Sequence, residues 1–108
     1  MKAFDRDYQL LGEMYRDEYY PDFLVDKVKA ALQTVIDLLE TGETDTEAIQ
    51  ARLDGAVCAI NDLQEEFNEN GSELETVARD CIGETVGYLL EWFGIPIDVE
   101  EAIRERDW

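Results

Sequence analysis

An all-α fold, a compact antiparallel bundle of four to five helices, is what the sequence predicts, and three observations carry that prediction. Apolar residues recur at helical spacing over most of the chain, and cap signals and glycines punctuate them. No alternating strand pattern of any length is present. The 108 residues form one domain, 1–108, long enough to bury a core without disulfides or a metal. An apolar fraction of 45% beside 33% charged residues is that of a globular chain rather than a disordered one.

The elements follow in order. Residues from about Asp7 to Arg16 are predicted as a short first helix, with Phe4, Tyr8, Leu11 and Tyr15 on one side. Pro21 then breaks the chain and fits the first position of the next helix, where its missing N–H costs nothing. This second helix is expected from Pro21 to about Thr41. Leu24, Val28, Leu32, Val35 and Leu39 lie in its apolar arc, and Gly42 stands at the C-terminal cap. Thr44-Asp45-Thr46-Glu47 matches a capping box and opens the third helix, whose core stripe runs from Ile49 through Leu53, Val57 and Ile60 to Phe67. Asn70-Gly71 stops it. A second box, Ser72-Glu73-Leu74-Glu75, opens the fourth helix, which carries Leu74, Val77, Ala78, Cys81, Ile82, Thr85 and Leu89 inward and ends at Gly94. After the extended link Ile95-Pro96-Ile97, Asp98 caps a short last helix reaching about Asp107. The second, third and fourth helices form the antiparallel core of the bundle.

Placing residues at about 100° per step puts Ala48, Ala51, Gly55, Cys58 and Asp62 nearly opposite the third helix's core stripe. Gly83, Gly87 and Leu90 form a similar strip on the fourth. Small side chains admit close approach, either of the first or last helix or of a second copy of the chain. The same placement points Cys81 inward and Cys58 outward, so two reduced cysteines are expected rather than a disulfide.

Charge narrows the function classes. The net charge of −18 disfavours nucleic acid and anionic membrane surfaces as partners. The absence of histidine removes His-based catalysis and His metal ligation. Charges near the N-terminus and the lack of a long apolar run leave no signal peptide or membrane span, and a reducing cytoplasm is the expected location. From Asp37 to Glu75 there are twelve acidic residues against one basic residue, Arg52, a balance of −11. Such a field attracts a basic partner. In charge and size this is similar to small helical immunity proteins that neutralise cationic toxins. The segment Glu65-Glu66-Phe67-Asn68-Glu69 is faintly similar to one acidic motif of the all-α nucleoside-triphosphate pyrophosphohydrolases. That likeness implies a metal-dependent phosphohydrolase using Glu65, Glu66, Glu69, Asp80 and Glu84, but the second motif is unmatched and Mg²⁺ needs converging oxygens. An EF-hand fails because Val77 would stand where a bidentate Glu is required.

The most particular stretch is Met14-Tyr15-Arg16-Asp17-Glu18-Tyr19-Tyr20-Pro21, followed by Leu24-Val25-Asp26-Lys27-Val28. It resembles the N-terminal signature of a family of small bacterial proteins known only as a domain of unknown function. The resemblance covers Met14 to about Leu39 and implies a bacterial cytoplasmic origin, with no activity to transfer. The expectation is a non-enzymatic acidic binding protein without cofactor or metal, either a homodimer or the partner of a basic protein. A purely structural domain is the blander alternative. The candidate interaction surface comprises Tyr15, Tyr19, Tyr20 and Phe23 with Asp62, Glu65, Glu66 and Glu69.

Overall fold

Six helical segments and no strand make up the described residues, 2–108, of the computed structural model: α1 (Gly12–Arg16), α2 (Asp22–Glu40), α3 (Thr46–Asp62), α4 (Gln64–Glu69), α5 (Thr76–Phe93) and α6 (Val99–Ala102). The all-α class stands, and the helix number exceeds the expected four to five because the third helix divides at Leu63. The three long helices match the three strongest periodic stretches.

α2 and α3 are the most intimate pair. The Arg52 guanidinium donates to the Thr34 carbonyl at 3.2 Å across the five-residue turn that reverses the chain between them. Leu24, Val28, Leu32, Val35 and Leu39 of α2 meet Ile49, Leu53, Val57 and Ile60 of α3 in one sealed core. α5 makes its closest backbone approaches to α1, α2 and α6, rather than forming a hairpin with α3. A Cβ on Gly87 would lie 3.2 Å from Val99 Cγ2, so the glycine lets α6 sit down on α5. The last helix therefore takes the small strip of α5 at Gly87, while Gly83 stays open. The stripe on α3 is not covered: Ala51, Gly55 and Cys58 remain exposed, with nothing within 4 Å of a Cβ built on Gly55. α6 and the tail reach α3 through its Gln50–Asp54–Asn61 side instead. Gln50 donates to the Glu101 carbonyl at 3.0 Å, Arg104 holds Asp54 with both ends of its guanidinium, and Asn61 donates to the Glu105 carbonyl at 2.8 Å.

Four local expectations are corrected. The first helix does not begin at Asp7. Leu11 sits in the left-handed region at φ 58°, which interrupts helical hydrogen bonding and leaves only Gly12–Arg16 helical. Such a φ costs roughly 1–2 kcal/mol for a non-glycine residue, offset here by complete burial of the leucine. Phe4 and Tyr8 instead pack on the C-terminal half of α5, so their helical spacing is incidental. The N-cap of α3 is Asp45, whose carboxylate accepts from the Glu47 N–H at 3.0 Å, in place of Thr44. Ser72 does not cap α5, because its own N–H is used in the preceding turn, donating to the Phe67 carbonyl at 2.9 Å. The helix starts three residues later with Glu75 as N-cap, and the buried Ser72 hydroxyl has no partner. α6 stops at Ala102 rather than near Asp107. The chain continues in tight turns from the Arg104 N–H to the Glu101 carbonyl and from the Arg106 N–H to the Ile103 carbonyl.

The N-terminal segment forms a clamp. The Phe4 ring stacks with Phe93 at 6.0 Å and meets Tyr8, Tyr88 and Trp92 edge-on, while Tyr8 and Tyr88 stack at 4.1 Å. Hydrogen bonds fix its path: the Phe4 N–H to Glu40 at 2.8 Å, the Trp92 indole N–H to the Ala3 carbonyl at 2.9 Å, and the Tyr88 hydroxyl to Asp5 at 2.5 Å. Both cysteines are free, Cys58 exposed and Cys81 buried, and burial pushes the Cys81 thiol up despite backbone N–H groups of Met14 and Glu13 beside it.

Candidate functional site

Residues 17–20 form a tight turn that sorts two consecutive tyrosines to opposite sides. The Asp17 carboxylate accepts from the Tyr19 N–H at 3.0 Å, and the Asp17 carbonyl accepts from the Tyr20 N–H at 3.1 Å. Tyr20 therefore turns inward, 2% exposed, and its hydroxyl donates to the Glu75 carboxylate at the start of α5. Burial and that acceptor push the Tyr20 phenol well above its ordinary value. Tyr19 turns outward, 43% exposed, with its ring edge-on to Tyr20 at 5.1 Å. Partial desolvation and the carboxylates of Glu73 and Glu75 push its phenol up as well.

Pro21 lies just outside α2 as its N-cap, with ψ 131°, not as its first residue. Phe23 follows in the first turn with half of its surface in solvent. One turn on, the Lys27 ammonium stands 5.9 Å from the Phe23 ring and 2.6 Å from Glu66 of α4. Tyr15 is half-buried and donates to Asp26 at 2.5 Å, its phenol likewise raised by burial and by that carboxylate.

These two links, Tyr20 to Glu75 and Lys27 to Glu66, gather the starts of α2 and α5 and the short α4 at one end of the molecule. Val77, in the first turn of α5, joins Tyr19 and Phe23 as a large exposed apolar side chain, 41% in solvent. Asp62, Glu65, Glu69 and Glu73 are all exposed. The candidate surface thus divides. Tyr20 belongs to the core and Tyr15 to the seam between α1 and α2, whereas Tyr19 and Phe23 face out. Helical phase alone predicts Val77 inward, and only its place in the first turn of a helix, where neighbouring chain thins out, signals otherwise.

Glu65, Glu66, Glu69, Asp80 and Glu84 do not make a cage. Glu66 is engaged by Lys27, and no three His, Cys, Asp or Glu side chains among the described residues converge as metal ligands would. No helix of the described residues is long and apolar enough to cross a membrane.

Fold, size and charge define the class first: a small, acidic, all-α helical protein. The chain belongs to DUF5713, a family of unknown function, whose pattern matches residues 4–108. No curated protein and no solved structure matches it.

Proposed function

We propose that this is a non-enzymatic binding protein that docks a basic partner on the end of the molecule carrying Tyr19, Phe23 and Val77. One observation carries the reading. Among the described residues these are the three large apolar side chains the fold leaves exposed, and each stands beside carboxylates: Asp17 and Glu18 in the turn before Tyr19, Asp22 before Phe23, and Glu73 and Glu75 before Val77. Aromatic anchors supply the desolvated centre of an interface, and a carboxylate rim selects lysine- or arginine-bearing surfaces and speeds their arrival. A chain of net charge −18 repels acidic competitors at the same time.

A basic amphipathic peptide of alternating lysine and leucine turns, with its glutamate-substituted analogue, tests this by calorimetry at low and high salt. The basic peptide is expected to bind and its analogue not. Salt should weaken the complex, and the Tyr19→Ala/Phe23→Ala pair should weaken it at least tenfold further at either salt. Equal binding by the double variant at both salts would reduce the interaction to unspecific charge attraction and overturn the proposal. A homodimer is the second reading, favoured by the uncovered Ala51–Gly55–Cys58 stripe. Sedimentation equilibrium of the same samples, with a dimer surviving high salt, is its test.

A further inference from the structure

Asn70 and Gly71 close α4, and an asparagine followed by glycine is the dipeptide most prone to cyclise on itself. With no Cβ beside it, the glycine nitrogen has a clear path to the side-chain amide carbon of the residue before. Both residues are exposed, and nothing lies within 4 Å of a Cβ built on Gly71, so water reaches the pair freely. The other two asparagines, Asn61 and Asn68, are followed by Asp62 and Glu69, whose side chains crowd the same nitrogen.

The fold ties up each group that this reaction needs. Gly71, at φ 73°, is the left-handed residue of a Schellman turn. Its N–H donates to the Asn68 carbonyl at 3.1 Å, and the Ser72 N–H donates to the Phe67 carbonyl at 2.9 Å. The nucleophile is thus an amide already engaged as a donor. The leaving group is engaged as well, because Asn70 Nδ2 donates to the Glu66 carbonyl at 2.8 Å. An Asn70 ψ of 16° sets the Gly71 nitrogen nearly eclipsed with the Asn70 nitrogen and turned away from the Asn70 side chain. Ring closure requires it to eclipse Cβ instead, a rotation of the peptide plane that breaks both turn bonds. The closed turn also has a weakness. Ser72 is 1% exposed and its hydroxyl has no partner, a cost that opening to water relieves.

We infer that Asn70 is a self-modification site, deamidated through a cyclic imide and gated by opening of this turn. In the open form hydroxide takes the Gly71 amide proton and the nitrogen bonds to Asn70 Cγ. Nδ2 leaves as ammonia with a proton from water, which regenerates the hydroxide. Water then adds to either imide carbonyl and breaks the bond from that carbon to nitrogen, leaving aspartate or isoaspartate at position 70. In sum one water is consumed, one ammonia is released and the chain gains one negative charge. The new carboxylate has no N–H to give the Glu66 carbonyl. The isoaspartate form also lengthens the main chain by one methylene, which moves Ser72 out of register with Phe67. The modified turn therefore does not reclose. None of this depends on the docking proposed above.

The native protein and the chain unfolded in guanidinium chloride are incubated at the same mildly alkaline pH. Mass spectrometry of their peptides counts aspartate and isoaspartate at position 70, and hydrogen exchange gives the protection of the Ser72 amide. The unfolded chain is expected to convert at Asn70 ahead of Asn61 and Asn68. The native protein should convert at least tenfold more slowly, by a factor that matches the Ser72 protection, since one opening governs both. Equal rates in the two states would overturn the inference, as would an unfolded chain that does not convert at Asn70. A native rate above what the protection allows would mean that the ring closes inside the closed turn. A rate far below it would mean that a larger unfolding is the gate, and either result refutes gating by this turn.

Discussion

At the scale of single residues the tyrosines report on the molecule most directly. Asp5 and Tyr88 are coupled by one hydrogen bond. The Tyr88 hydroxyl, helped by the Asp7 N–H, holds the Asp5 carboxyl below its ordinary 3.8, and Asp5 pushes the Tyr88 phenol up to about 12. The lowered carboxyl contributes to stability above pH 3.8 and loses that contribution as pH falls through its folded value. The raised phenol contributes below pH 10.0 and loses it as pH rises through about 12. The clamp is therefore intact across the whole range between. Tyr15, Tyr19 and Tyr20 are also raised, each beside carboxylates. Alkaline titration followed by phenolate absorbance should lag well behind that of the denatured chain. The Tyr88→Phe variant should lose one late-ionising group and show a smaller acid-side contribution from Asp5, with the Asp7 N–H bond remaining. A native titration superimposable on the denatured one would contradict these hydrogen bonds.

At the scale of elements, the ends of the helices are where local chemistry acts alone. Asp45→Ala removes the carboxylate that caps α3 and should destabilise the protein by about 1 kcal/mol, whereas Asp45→Asn should be nearly neutral. Gly94 closes α5 at φ 68° with open space around it, so Gly94→Ala should cost about 1 kcal/mol through the backbone alone. Gly55, in the middle of α3 and equally open, has the opposite sign: Gly55→Ala should stabilise by roughly 0.5–1 kcal/mol. Urea unfolding followed by helical circular dichroism measures all four, and a common sign for the two glycines would refute the assignment. The same contrast explains what was legible beforehand. α2, α3 and α5 were readable because amphipathic period and stop signals agree along them, and Gly42, Gly71 and Gly94 all take the positive φ that a stop requires. The region before Gly12 was not readable. The partners of Phe4 and Tyr8 on α5 lie more than 75 residues away, and nothing in local spacing separates a helix face from an aromatic clasp. Of the candidate surface, the aromatic stretch was visible, but its division between Tyr19 and Tyr20 hangs on one Asp17 hydrogen bond.

At the scale of the whole molecule, charge opposes compactness. The described residues form four ion pairs, and most of the 27 carboxylates face one another through solvent without a base. Screening should relieve that repulsion more than it weakens four largely exposed pairs. Stability is expected to rise with added sodium chloride, by on the order of 1 kcal/mol between low and moderate salt, read as a shift of the urea midpoint with unchanged slope. A midpoint that falls would mean that the ion pairs, and not the repulsion, dominate.

The clasp of the first residues onto α5 also sets an order of events. Its hydrogen bonds to α5 join residues 77 to 90 apart, with one more from Phe4 to Glu40, 36 away, while α2 and α3 meet across a turn of five. Closing so long a loop carries the larger entropic penalty and yields nothing until α5 is in place, so the helical pair assembles early and the clasp arrives last. What closes last with few partners opens first. Residues 2–8 are therefore expected to open as a unit ahead of the helices, and hydrogen exchange checks it: the Phe4 N–H and the Trp92 indole N–H should exchange faster than the amides of α2 and α3.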